Sequence, residues 1–175
     1  RSTLFPYTTL FRSSRDDLLA GAPMYKAAIG NVYAFTQKGV TFSAAGTIPS
    51  PASGVARFGQ TLAGDTGNVL VGAPANLNFA GSAHLYSISF PSGMVSATQT
   101  AMVTYPGSQF FATSMAFTGS FAVIGSNANL IYYPFANGAI GGPNPLFVPA
   151  HTASWANAVA VSGNGFIFAG DPGVN

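Results

Sequence analysis

Six side chains carry the acid–base chemistry open to this chain. They are Asp16, Asp17, Asp65, Asp171, His84 and His151; there is no Glu and no Cys. Glycoside hydrolysis needs two carboxylates facing each other across the sugar. The four aspartates stand either side by side at positions 16 and 17 or alone in distant loops, so a facing pair is not expected. A serine hydrolase of the nucleophile-elbow type needs G-x-S-x-G, which is absent. Gly163-Asn164-Gly165 resembles the start of a dinucleotide loop but lacks the third glycine and the helix that would follow. Without Cys there is neither thiol chemistry nor a disulfide. His84 stands in an apolar strand beside Leu85 and Tyr86 and reads as a packed or edge histidine. His151 precedes Trp155 in a loop, where the two could line a surface site. The chain is therefore expected not to be an enzyme, with no catalytic residue and no bound cofactor of its own.

The elements that position these residues come from a repeat. Phe58–Pro74 reads FGQTLAGDTGNVLVGAP, and 111–127 aligns with it without a gap as FATSMAFTGSFAVIGSN. A third copy runs from Trp155 to Pro172 with one extra residue in its turn, and a partial copy opens at Leu18. The glycine of the terminal triplet recurs at 21, 72, 125 and 170. Each unit reads as strand, tight turn, strand, hairpin, strand. The turns Gly64–Gly67, 117–120 and 162–165 are rich in residues that tolerate left-handed backbone. A fourth, weakly patterned outer strand is expected over 40–48 and 101–105. No segment keeps a 3.6-residue apolar period, so helix should be scarce. The middle strands (Val69–Val71, Phe121–Ile124, Phe166–Phe168) are apolar on both faces, which calls for cover on both sides. Units of this length and content predict an all-β fold, a partial β-propeller of four-stranded antiparallel blades, with about three to three and a half blades present.

The motif resembles the FG-GAP repeat of integrin alpha-like propellers and many bacterial surface proteins. Phe58-Gly59 and Gly72-Ala73-Pro74 match both of its ends, and Gly21-Ala22-Pro23 matches the second. The resemblance covers nearly all of 16–175. It implies a binding or adhesion module on an exported or cell-surface protein, presenting loops to a protein or glycan ligand. The alternative is an accessory propeller domain of a larger secreted enzyme. Family members often carry a calcium loop of the form D-x-[DN]-x-D-G-x-x-D before the second strand. Here the equivalent turns hold Asp65 alone or no acid, so no calcium is expected in this segment, and the resemblance leaves the ion open for the full-length parent. Asp17 is the one residue the resemblance assigns to metal, as the last acid of such a loop.

Charge narrows the partners. The chain has 6 Lys and Arg against 4 Asp, a net charge of +2. Residues 1–13, RSTLFPYTTLFRS, back-translate without a mismatch onto a common DNA sequencing adapter, and are set apart as non-native from the domain at 14–175. Without Arg1 and Arg12 the remainder is formally neutral. No basic stripe is left to neutralise phosphates, so nucleic acid is not an expected partner. No unbroken apolar run reaches 18 residues, so this segment is not expected to insert into a membrane. The domain is expected to be truncated at both ends, with Leu18, Leu19 and Val32 on one free face and Val161, Phe166 and Phe168 on the other, and to self-associate through them. Genomic reads across the source locus should depart from the first 13 codons; reads running through them unbroken would overturn the adapter origin.

Overall fold

The computed structural model describes residues 10–12, 17–51, 53–54, 56–65, 67–146 and 156–170. Strands connected in simple succession build four antiparallel sheets. The first holds β1 (Leu10–Arg12), β2 (Leu18–Gly21), β3 (Asn31–Lys38) and β4 (Thr41–Pro49). The second holds β5 (Thr61–Gly64), β6 (Asn68–Ala73), β7 (Ser82–Ser89) and β8 (Ser96–Val103). The third holds β9 (Ser114–Phe117), β10 (Phe121–Gly125) and β11 (Leu130–Ala136). Its outer strand is split into β12 (Ala139–Ile140) and β13 (Asn144–Pro145), both paired with β11. The fourth holds β14 (Ala158–Val161) and β15 (Ile167–Gly170).

The scarcity of helix holds. Among the described residues the helical segments are Tyr25–Ala28 and the 3-10 turn Pro91–Gly93. The former is a left-handed turn by its dihedrals, with φ of 46° at Lys26 and 55° at Ala27. The same turn recurs one unit later at Leu77, Asn78 and Phe79 (φ 52°, 54° and 68°). A β-bulge also recurs in phase, at Ala34/Phe35 in β3 and at Leu85/Tyr86 in β7.

The sheets pack face on face in chain order. Along β6, Val69, Val71 and Ala73 face the first sheet, whereas Leu70 faces the third. Along β10, Ala122 and Ile124 face the second sheet, and Val123 faces the fourth. The continuous apolar runs are thus strands covered on both sides. The first strands adjoin one another in succession: β1 lies against β5, β5 against β9 and β9 against β14.

Several expectations are corrected. The outer strand of the second sheet begins at Ser96 rather than at Ala101. Its residues alternate between exposed and half-buried, and a strand with one wet face and small polar residues carries little apolar signal. Leu19 and Val32 do not line a free face; both are buried against the second sheet. Side chains alternate along β2, so Leu18 and Ala20 take the opposite side. Val161 likewise packs toward the third sheet, while Phe166 and Phe168 are 65% and 61% exposed. Finally, Leu10–Arg12, within the segment set apart as non-native, supplies the first strand of the first sheet, with Leu10 opposite Ala20. Backbone N–H and C=O groups pair without regard to side chain, so the edge of β2 is a template for any extended segment.

The seam between sheets is made by glycine. A Cβ on Gly21 would sit 1.9 Å from the Gly59 carbonyl oxygen of the next unit. A Cβ on Gly72 would meet the Thr61 Oγ1 at 2.0 Å and the Ala112 carbonyl at 2.7 Å. On Gly125 it would meet the Ser114 hydroxyl at 2.3 Å and the Ala156 carbonyl at 2.4 Å. These oxygens are already bonded: the Thr61 hydroxyl donates to the Ala112 carbonyl at 2.7 Å, and Ser114 donates to Ala156. Gly72→Ala is therefore expected to cost about 1–3 kcal/mol through overpacking. Gly163→Ala, with open space around it, should stay within about 0.5 kcal/mol of the parent. Urea denaturation of the two variants checks this; equal midpoints would refute the seam.

Candidate functional site

One groove of about 580 Å³ opens over the second sheet. Pro51, Ser53 and Gly54, the left-handed turn Leu77–Phe79 and strands β7 and β8 enclose it. Its rim is apolar: Leu77 is 51% exposed, Phe79 48% and Met102 49%. Phe79 is braced by Phe110, with ring centroids 5.5 Å apart. Its polar lining is neutral amide and hydroxyl, from Asn76, Asn78, Gln99 and Ser53, together with His84.

His84 is the chemically distinctive residue. It lies in β7, where register places it opposite Val71 of β6. The equivalent residue of the third sheet is Ile131, opposite Ile124. The fold therefore buries an imidazole where the third sheet buries an aliphatic chain and the first holds the half-buried Tyr33; His84 is 2% exposed. Its ring packs edge-on against Phe58, centroids 5.6 Å apart. The Asn76 amide donates to the Ser82 hydroxyl oxygen at 2.9 Å, and that hydroxyl stands 2.9 Å from His84 Nε2. The hydroxyl, accepting from Asn76, keeps one proton and one lone pair, so it meets Nε2 in either tautomer. Nδ1 is buried and completes no hydrogen bond. An orphaned polar atom of this kind costs about 1–3 kcal/mol. Gln99 lies against the ring without completing a bond to Nδ1; its Oε1 accepts from the Tyr86 hydroxyl at 3.4 Å.

Ser82 and His84 stand two apart on one strand, so their side chains share a face. A Ser-x-His pair at that spacing is the signal the sequence carries for this contact. Ser82 is fully buried (0% exposed), so a substrate carbonyl does not reach its hydroxyl, and Nδ1 has no carboxylate to orient it.

The hairpin turns are capped by side chains. Asp65 Oδ1 accepts from the Asn68 N–H at 3.1 Å and from its side-chain amide at 3.2 Å. Thr118 Oγ1 accepts from the N–H groups of Ser120 and Phe121, and Ser162 Oγ accepts from Phe166 N–H at 3.1 Å. Where the resemblance would place calcium, each turn already commits a side-chain oxygen to backbone. Calcium wants six to eight oxygens. Among the described residues no three His, Asp or Glu side chains gather, so these turns do not fit the ion. Asp17, the residue assigned to metal, is 7% exposed at the start of β2. Asp16, Asp171, His151 and Trp155 lie outside the described residues. No helix among the described residues is long and apolar enough to cross a membrane.

No protein-family model matches the chain, and no curated protein is similar to it.

Burial pushes the His84 imidazole below its ordinary value of 6.5, with Gln99 acting in the opposite sense. The unfolded chain therefore takes up this proton first. The stability tied to neutral His84 is whole above about pH 6.5 and is lost as pH falls from there through the folded value. Burial likewise raises Tyr86 and Tyr133 to about 12, so a second loss is expected as pH rises from about 10 through 12. In His84→Ile, which installs the residue of the third sheet, the acid slope should flatten while the alkaline loss stays. Denaturation midpoints from pH 5 to 12 measure both, and an unchanged acid slope would exclude His84 as its source.

Proposed function

We propose that this chain is a binding module: a run of blades of an FG-GAP-type β-propeller, from an exported or cell-surface protein, that holds a protein or glycan ligand and catalyses nothing. The groove over the second sheet carries the reading. It is built from two loops and a sheet face, it is rimmed by exposed apolar side chains, and its floor holds a buried ring nitrogen that completes no hydrogen bond. Binding sites are concave and mostly apolar, with a few placed polar groups.

The scaffold supports the same reading. Successive sheets recur in phase, their first strands adjoin in order, and the same glycine seam joins each to the next. That is the arrangement expected of blades radiating from a common axis. A rigid stack of sheets offers loops a fixed frame, which is where binding residues tend to sit. Against catalysis stands the burial of Ser82 beneath the groove.

A direct assay separates binding from hydrolysis. The 175-residue chain should hydrolyse p-nitrophenyl acetate no faster than an equal concentration of free imidazole, and Ser82→Ala should not change the rate. Turnover that disappears in Ser82→Ala would show a working nucleophile and overturn the non-catalytic reading.

A further inference from the structure

We infer that the groove over the second sheet is a subsite for a neutral carbohydrate, of about the size of a disaccharide. This inference rests on the binding reading above and narrows it to one ligand class. Two independent observations meet here. One is the groove itself, about 580 Å³, within the roughly 300–1,000 Å³ of small-ligand sites. The other is His84 Nδ1, on a side chain 2% exposed, lining that groove and lacking any hydrogen-bond partner.

The lining selects the ligand. None of the groove side chains is a Lys, Arg, Asp or Glu, and His84 is held neutral by burial. An ionic ligand would lose its hydration and find no opposite charge. A peptide bound by strand addition uses the unpaired edge of a sheet. Here the groove is lined on the sheet by residues of both β7 and β8 and by the Leu77–Phe79 turn, so it does not run along the outer edge of β8 alone. Sugar hydroxyls both donate and accept. The Asn76, Asn78 and Gln99 amides offer carbonyl acceptors and N–H donors to match them. The His84 Nδ1 adds one more polar atom, suited in either tautomer to a sugar hydroxyl. A hydroxyl reaches it once Gln99, which lies against the ring, turns aside. The exposed face of Phe79, fixed by Phe110, provides an apolar platform for the C–H face of a pyranose.

The neighbouring sheets explain why the site is at one seam. The turn that supplies Leu77–Phe79 has its counterpart at Lys26–Ala28 in the first unit, where no aromatic is present. The buried His84 has its counterparts at the half-buried Tyr33 in the first sheet and at Ile131 in the third. The repeat builds the frame several times, and among the described residues the second unit sets a buried imidazole beside an exposed phenylalanine.

Saturation-transfer NMR on the 175-residue chain tests this. The probes are cellobiose, maltose, lactose and diacetylchitobiose, with digalacturonate as an anionic arm and an uncharged extended heptapeptide as a peptide arm. At least one neutral disaccharide should show transfer, and digalacturonate should not. The exposed variants Phe79→Ala and Gln99→Leu should weaken that binding at least tenfold while leaving the unfolding midpoint within a degree or two. In nitrogen-15 spectra, the His84 Nδ1 resonance of the free protein should move on adding the sugar. Binding of the peptide alone would overturn the carbohydrate class and leave the binding module standing. Digalacturonate binding as tightly as the neutral sugars would refute the selection by charge. Sugar binding that survives both variants would place the site elsewhere. If no probe binds, the inference fails, while the Ser82 assay still decides the non-catalytic reading on its own.

Discussion

The structure depends on sheets being able to approach at their inner ends until backbone touches backbone. Gly21 against Gly59, Gly72 against Ala112 and Gly125 against Ala156 are the same contact made three times. At each, a side chain of even one carbon would overlap a carbonyl oxygen or a hydroxyl bonded to it. The approach places the motif aromatics Phe58 and Phe111 wholly inside the seams. It also lets the turn of one unit bond to the next: Phe58 N–H donates to the Ile29 carbonyl, and Phe111 N–H to the Ala80 carbonyl, at 3.1 and 3.0 Å. Once the seam is closed the middle strands β6 and β10 have no wet face, and their all-apolar runs follow. The conformation at the seam outlasts the residue that suits it best. Gly59 has φ of 85°, and its counterparts Ala112 and Ala156 hold 69° and 63°. An alanine in that region carries strain of about 1 kcal/mol or more, so tertiary packing overrides local preference there.

The sheets were legible in the sequence because they rest on periodic signals. Gly64–Gly67 and Ser162–Gly165 announced hairpins, and the runs around Val71 and Ile124 announced strands covered on both sides. What could not be read was whatever lacked a pattern. The outer strand β8 is polar and half wet, so its start at Ser96 left no apolar trace. The split of the third outer strand follows from Pro134, which has no N–H to offer and whose carbonyl takes Gly141 N–H instead, at 2.7 Å. The left-handed turns at Lys26–Ala28 and Leu77–Phe79 use residues that disfavour them, and local propensity could not foretell them. Pairing of Leu10–Arg12 with β2 was equally beyond reach, because it draws on an open strand edge rather than on side chains.

The candidate site was half legible. His84 was seen as a packed histidine, and so it is. Its company was not seen, because Asn76, Ser82 and Gln99 come from a turn and two strands whose register only the fold sets. The useful comparison was within the repeat itself. Aligning by register sets His84 against Ile131, and that departure from an apolar position marks the one place where the second unit keeps a polar group its packing does not need. Asp65 teaches the converse. It stands alone in its turn, and Thr118 and Ser162 cap their turns in the same way, so its oxygen is explained by the hairpin alone.

The low charge of the chain ties scaffold and site together. A stack of this kind hides apolar side chains between sheets and needs few ions to stay folded, but it then has little charge to spend on recognition. What remains for selecting a partner is shape, amide and hydroxyl groups, and isolated polar atoms held rigidly in apolar surroundings. His84 fits that description closely: Phe58 and Ser82 hold its ring, and burial keeps it neutral. A ring nitrogen so constrained gains by meeting a partner once Gln99 turns aside. In a protein with almost no charge, a neutral ring nitrogen of this kind discriminates between ligands by geometry, because an ion pair is not available to do so.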